Sequence, residues 1–550
     1  MDTDVIIIGS GLSGLVAAVT AARVGRKVTI IDREGPQSIG GQAFWSFGGL
    51  FLVNSPEQRR LGVKDSEELA LADWLGSAGF DGPQDHWPRK WAEAYVHFAA
   101  GEKRSWLREE GVSWFPLVQW AERGGQVTGQ HGNSVPRFHI TWGTGPGLVE
   151  PFARQAAELP TVEFRGRHYV TGLTQDASGW TVRGDVLAED RAERGRPTST
   201  EVVGEFELTA LAVVVASGGI GGNIEMVRRR WPWGTPPSAE SLVQGVPDYV
   251  DGSMLPIAEA AGAHLINESR MWHYPEGLRN HDPIWTNHGI RILPGPSSLW
   301  LDADGKRLPA PNFPGFDALG TLRTLTERGE YSWFVLDEAT IAKEFALSGS
   351  EQNHDLTGKD VKALSGRLKP GPTAEVQAFI DSGIDIVTAD TVSELARRMN
   401  ALVDSERISA EELHRVIVAR DQQVAAGLGK DPQVVATRAA RKFFSDRVMR
   451  VVPPHRLLAA DGSGKHGSGG KLIAARLHVL TRKTLGGIET NLDSQVLNPD
   501  GEVVPGLYAV GEAAGFGGGG VHGHKALEGT FLGGCLFSGR RAGLSLASSL

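Results

Sequence analysis

Residues 1–32 constrain the fold more than any other stretch of the chain. Val5-Ile6-Ile7-Ile8 is a short β-branched run suited to a strand buried on both faces. Gly9, Gly11 and Gly14 follow it in a G-x-G-x-x-G arrangement. The alanine-rich stretch from Leu15 to Val24 predicts a helix, and Gly25 closes it because glycine tolerates the left-handed turn at a helix C-terminus. Lys27 to Ile31 predicts a second strand, with Asp32 at its end and Arg33 beside it. Gly9 permits the tight turn, Gly11 lets the backbone approach a pyrophosphate, and Gly14 lets helix and strand touch. The free N–H groups and positive dipole end of the helix suit phosphates. Asp32 is placed to accept a hydrogen bond from a ribose hydroxyl. A glycine triplet alone is weak evidence; strand, glycines, helix, second strand and acid in this order predict a dinucleotide-binding unit.

At roughly 100–200 residues per domain, 550 residues imply two or three domains. The net charge of −9, without a basic stretch, speaks against nucleic acid as a partner. No apolar run reaches the roughly 18 residues that span a bilayer. Cys535 is the only cysteine, which excludes an intramolecular disulfide and multi-cysteine metal sites, and no metal is expected. No charged leader or apolar signal segment precedes Val5, which points to the cytoplasm.

Four further segments decide between nucleotides. Gly40-Gly41-Gln42-Ala43-Phe44-Trp45-Ser46-Phe47-Gly48-Gly49 follows the first unit. The run Ala212–Val215 predicts a strand ending in Ala216-Ser217-Gly218-Gly219. Thr484-Leu485-Gly486-Gly487-Ile488 comes late, and Gly506-Leu507-Tyr508-Ala509-Val510-Gly511-Glu512 later still. Together these resemble the fumarate reductase/succinate dehydrogenase flavoprotein superfamily, which includes the 3-ketosteroid dehydrogenases. The resemblance implies an α/β fold: a discontinuous Rossmann-type FAD-binding domain with an inserted α+β capping or catalytic domain.

Carried over position by position, it implies that Gly9, Ser10, Gly11, Ser13 and Gly14 hold the pyrophosphate and that Asp32 holds the ribose. Gly41, Gln42, Ser46, Gly48 and Gly49 would line the flavin, and Ala216, Ser217 and Gly218 would lie on the adenosine side. Gly511 and Glu512 would meet the ribitol. Gly529, Thr530, Phe531 and Leu532 would start the last helix under the flavin pyrimidine, where the helix dipole stabilises the charge of the reduced ring. Some members attach FAD to a histidine five residues before the glycine pair. Ala43 stands there, so FAD is expected to be non-covalent.

The dicarboxylate-reducing members carry an arginine four residues after the histidine of a Val-His-Gly segment. Here Val521-His522-Gly523-His524-Lys525 ends in Ala526. Their second arginine would follow Asp304-Gly305-Lys306-Arg307-Leu308, where this chain has Pro309-Ala310-Pro311. A small dianion needs such guanidinium anchors. The ketosteroid dehydrogenases use a tyrosine near the C-terminal site, and no tyrosine follows Tyr508. The chain departs from both patterns, and a bulky apolar ketone is the better analogy. The aromatic density between Trp74 and Trp142 suits either a wall for such a ligand or a core between helices.

The expected organisation is an FAD-binding domain over 1–240, an inserted cap over 241–385, and the rest of the FAD-binding domain over 386–550. A flavin dehydrogenase also needs a group that exchanges a proton with substrate. His522, His524, Tyr274 and Tyr331 are the candidates. The expected activity is hydride transfer to or from flavin N5 across a C–C bond next to a carbonyl, with an unidentified electron acceptor. The alternatives are a reductase of small unsaturated carboxylates, or a flavoprotein serving electron transfer or a partner.

Overall fold

The computed structural model describes residues 1–124, 132–329 and 331–549. The predicted nucleotide unit lies at the centre of an eight-stranded sheet. Thr3–Ile8 pairs in parallel with Val28–Ile31 on one side and with Val202–Val215 on the other. Val162–Arg165 extends one edge in parallel and Val503–Ala509 the other. Alternate residues explain why the first strand is apolar throughout. Ile6 and Ile8 pack into one core with Val213 and Val215, whereas Val5 and Ile7 pack into a second with Val28, Ala212 and Val214. Both faces are covered, as a parallel sheet requires.

The helix Leu12–Ala22 lies on one face, sandwiched by the long C-terminal helix Thr530–Ser549. Gly14 lets it do so, because a Cβ there would run into the Gly9 carbonyl oxygen. A hairpin, His168–Asp176 with Gly179–Leu187, extends this sheet and pairs antiparallel with Val202–Val215. The charged segment that joins Gly179–Leu187 to Val202–Val215 folds back, with the Thr198 hydroxyl donating to Glu34 and Arg196 to the Pro283 carbonyl.

A second eight-stranded sheet is built around one long strand, Leu472–Thr484. That strand is flanked antiparallel by Met271–Arg279 and Tyr331–Asp337. The Pro- and Gly-rich stretch 285–314 contains the strands Gly289–Pro294 and Leu299–Leu301. One correction to the sequence analysis arises here: the return to the first domain comes later than residue 386. Ile386–Ala389 pairs with Leu472–Thr484. The helices Val392–Leu402 and Ala410–Ala426 bury Leu395, Met399, Leu413 and Ile417 against Trp333, Val335 and Leu472 of the second sheet. Their amphipathic pattern predicts helices with one buried face, but it does not say which sheet they cover.

Leu472–Thr484 is the link between the two parts. It runs from the second sheet to the nucleotide side, where the Thr484 backbone N–H donates to Glu512 at 2.7 Å. Among the described residues no helix is long and apolar enough to cross a membrane.

Candidate active site

Two clefts meet at the junction of the sheets, one of about 930 Å³ and one of about 810 Å³. Gln42, Ala43, Glu512 and Cys535 line both, so the two form one continuous channel. The first opens over the C-terminal ends of the parallel strands, where an α/β sheet places its ligands. Gly9, Gly11, Ser13, Asp32, Arg33, Gly41, Ala216, Ser217 and Gly218 all line it. Gly9 adopts φ of 109°, and a Cβ there would sit 2.5 Å from the Ala216 carbonyl oxygen.

Gly11 is different and more informative. A Cβ there would come no closer than 3.9 Å to any protein atom. Protein packing therefore does not demand the glycine, whereas a ligand lying against the backbone does. No side chain caps the helix that starts beside it, leaving its first N–H groups for that ligand. Ser10 does not line the cleft. Its backbone N–H and hydroxyl both donate to Asp32 Oδ2 at 2.7 Å, which fixes the carboxylate at the rim. Gly14 faces the sheet. Arg33 is held by Asp251 at 2.5 Å. These features fit FAD: open backbone and N–H groups for a pyrophosphate, then an oriented acid for a ribose.

Glu512 occupies the junction. Gln42 Nε2 donates to one of its oxygens at 2.5 Å and the Thr484 backbone to the other. Burial raises its pKa, and Lys483 opposes the rise. Burial brings Lys483 down to about 8. Gly511 lies behind the junction, its N–H donating to Ser538 Oγ at 2.9 Å. Ser46, Gly48, Gly49, Gly529, Phe531 and Leu532 line the second cleft, while Thr530 is buried beneath it. Cys535 lines the channel as a neutral thiol, because burial pushes it up to about 12.

Of the four residues expected to carry the chemistry, the structure brings only Tyr274 to the cleft. Its ring lies under a guanidinium, with Arg291 Cζ 3.5 Å from the ring centre. Arg291 is itself paired with Glu528 at 2.7 Å and lies 3.6 Å from Glu276. Burial raises the Tyr274 pKa well above the ordinary phenol range, helped by Glu528 and opposed by Arg291 and Arg482.

His522 is fully buried behind the wall. It stacks on Trp74, contacts Phe516 and Phe531, and shares a hydrogen bond with Thr530 Oγ1 at 3.0 Å. Burial lowers its pKa to about 3, so it is a neutral core residue. His524 is on the surface, 3.2 Å from Asp81. Tyr331 lies at the start of its strand beside Trp333, away from both clefts. Among the described residues, His522, His524 and Tyr331 therefore line neither cleft. Arg137 and His139 are structural too. Arg137 is fully buried between Asp65 at 2.7 Å and Asp73 at 2.5 Å, and His139 shares a hydrogen bond with Ser55 at 2.7 Å.

Most of the aromatic segment is core as well. Trp74, Trp91 and Phe98 pack with Tyr95 and Phe537, and of the aromatics between residues 74 and 142 only Phe138 reaches the second cleft. Four charged residues of the second cleft are absent from the sequence-based candidates: Arg291, Glu528, Arg482 and Lys483. Arg291 left a legible trace. It is a lone charge in the apolar run Gly289-Ile290-Arg291-Ile292-Leu293, and a buried charge requires a partner.

An FAD-binding domain family matches residues 4–532. A KsdD-like steroid dehydrogenase of Mycobacterium tuberculosis is 58% identical over all of this chain and 96% of its own length. One from Mycolicibacterium smegmatis is 58% identical over 96% of each. The structure superposes on 3-ketosteroid delta1-dehydrogenase from Sterolibacterium denitrificans with TM-score 0.67, 16% identity and full coverage of both chains. It superposes on the open conformation of a flavocytochrome c3 fumarate reductase with TM-score 0.64 and 19% identity, covering 100% of this chain and 78% of that one. The chain thus belongs to the flavoprotein family that shares this FAD-binding domain, and it is an FAD-dependent oxidoreductase.

Proposed function

We propose that this protein moves hydrogen across a C–C bond adjacent to a ketone, on a 3-ketosteroid or a comparably bulky apolar ketone. The observation that carries the proposal is the placement of Tyr274, under Arg291, on the wall of a largely apolar cleft continuous with the nucleotide cleft. Phe138, Leu293, Phe516, Phe531 and Leu532 supply apolar surface for a flat ligand. The whole-length similarity to proteins named as steroid dehydrogenases supports the same substrate class.

Bound FAD supplies the two-electron carrier that gives or takes hydride. The chain's own residues do the rest. Gln42, Ser46 and Gly48 lie where the flavin is expected, and the start of the Thr530–Ser549 helix points its dipole there. Tyr274 holds or receives the proton at Oη, and the guanidinium on its ring face favours the phenolate. The apolar walls exclude water from the reacting carbons.

The two expected dicarboxylate anchors are absent, although two other arginines reach the cleft. Arg291 is already engaged by Glu528, which leaves Arg482 alone and no bidentate clamp for a small dianion. The test is anaerobic addition of saturated and Δ4 3-ketosteroids to the purified holoenzyme. Bleaching of the flavin absorbance by a saturated or Δ4 ketone is expected. An oxidised flavin unaffected by either, together with reoxidation of reduced enzyme by fumarate, would replace this reading with the small-carboxylate one.

A further inference from the structure

We propose that Arg482 is a further catalytic residue, whose guanidinium donates to the ketone oxygen of the substrate and stabilises the charge that builds there while Tyr274 exchanges the adjacent proton. This rests on the reading above of a C–C bond next to a ketone.

The backbone explains why Arg482 is available. On a regular strand Arg482 and Lys483 would face opposite sides of the sheet. Trp272 pairs with Lys483 and Tyr274 with Leu480, so Thr481 and Arg482 together oppose His273 alone. This is a β-bulge, a device that re-aims a side chain. The Arg482 N–H is anchored within it by His273 Nδ1 at 3.0 Å. As a result both Arg482 and Lys483 line the second cleft, on the same side as Tyr274.

Among the described residues that line the second cleft, Arg482 is also the cation with no protein partner. Arg291 is paired with Glu528, and Lys525 with Asp317 at 2.5 Å. Lys483 reaches Gln42 Oε1 at 3.4 Å. The Arg482 guanidinium makes no hydrogen bond or ion pair among the described residues, and Glu351 and Glu512 act on it only at a distance. Burial disfavours its charge, yet a guanidinium stays protonated in proteins. A half-buried cation without a partner is costly unless a ligand oxygen supplies one.

The position of that oxygen follows from Tyr274, which lines the same cleft as Arg482. Acidifying a C–H bond takes a donor at the carbonyl oxygen and a proton acceptor at the neighbouring carbon, both at one end of the substrate. In dehydrogenation the α C–H bond breaks and its proton goes to the Tyr274 phenolate. The β C–H bond breaks and its hydrogen leaves with the electron pair to oxidised FAD, which is reduced. The C–C single bond becomes double. The carbonyl oxygen carries negative charge while the two departures are out of step, and Arg482 is placed to stabilise it. Hydrogenation reverses each movement.

The test uses the holoenzyme, the variants Arg482→Leu and Arg482→Lys, and 4-androstene-3,17-dione as probe. Infrared difference spectra of the bound steroid report polarisation of its enone carbonyl, and rapid mixing with reduced enzyme reports hydrogen transfer. Wild-type enzyme is expected to lower the carbonyl frequency. Arg482→Leu is expected to abolish that shift and to slow transfer roughly 10²–10³-fold, the usual effect of removing one preorganised donor. Arg482→Lys is expected to restore part of both. The flavin spectrum and melting temperature of the variants should stay close to wild type, which separates the effect from misfolding. A carbonyl shift that persists in Arg482→Leu would overturn the proposal. So would unchanged transfer combined with lost affinity only for a carboxylated steroid, which would make Arg482 a remote anchor. Wild-type enzyme that binds no ketosteroid at all would overturn the ketosteroid reading itself, and this assignment with it.

Discussion

Arg291 sits face-on over Tyr274, its guanidinium carbon 3.5 Å from the ring centre, and Glu528 holds it there at 2.7 Å. The pair joins a group whose acidity matters to a cation that favours its ionised form. Burial raises the Tyr274 pKa, so the phenolate fraction grows with pH through the alkaline range. Dehydrogenation needs the phenolate, and its rate should rise with pH. Hydrogenation needs the phenol and should fall over the same limb. Arg291→Lys keeps a charge but loses the guanidinium over the ring face, and should move the limb upward. A pH–rate profile of flavin reduction checks this; an unmoved limb would detach Arg291 from Tyr274.

Arg137 makes a contrasting case. It is fully buried with Asp65 and Asp73, far from any ligand role. Arg137→Leu strands two buried carboxylates and should cost about 3–5 kcal/mol of stability. Denaturant unfolding measures it, and the fraction that folds should turn over near the wild-type rate.

His522 carries a prediction in the opposite sense. It is a neutral ring stacked on Trp74 at 5.5 Å, separated from the cleft by Phe531 and Phe516. His522→Phe preserves the stack and removes one hydrogen bond, worth about 1 kcal/mol. Turnover should fall by less than about fivefold. A loss of a hundredfold with intact flavin would restore His522 to the chemistry.

Glu122 should show in the pH dependence of stability. Burial raises its pKa from 4.5 to about 8. A carboxyl raised in the folded state contributes stability that is fully present below the unfolded pKa. That contribution is lost as pH rises through the folded pKa. The melting temperature of wild type relative to Glu122→Gln should therefore fall between about pH 4.5 and 8. The amide can still accept from the Ala318 N–H, which now meets Glu122 at 2.6 Å. A difference that stays flat across that window would show that Glu122 ionises normally.

The nucleotide half of the fold was legible because its rules are local. Val5–Ile8, Gly9, Gly11, Gly14 and Asp32 lie in one stretch of chain, and each residue type answers to strand burial, a tight turn, close packing or the approach of a nucleotide. The second cleft was not legible in the same way. Its wall is assembled from Gln42, Tyr274, Arg291, Arg482 and Glu528, brought together by long-range strand pairing. His522 shows the cost of reasoning from neighbourhood along the chain: its motif lines neither cleft, and its ring packs in the core against Trp74, Phe516 and Phe531. Arg482 depends on a bulge opposite His273, and nothing local in Thr481-Arg482-Lys483-Thr484 marks where an extra residue enters the ladder. The helices at 392–426 were predicted as helices, but which sheet they would cover depends on pairing of Ile386–Ala389.

The most direct test of the account is stopped-flow flavin reduction by a saturated 3-ketosteroid under anaerobic conditions, comparing wild type with Tyr274→Phe. Wild type is expected to bleach. The variant is expected to bind FAD and steroid normally but to bleach roughly 10²–10⁴-fold more slowly, the range for losing a proton-transfer group. Equal rates in the two proteins would contradict the assignment of Tyr274 and, with it, the chemistry proposed for this cleft.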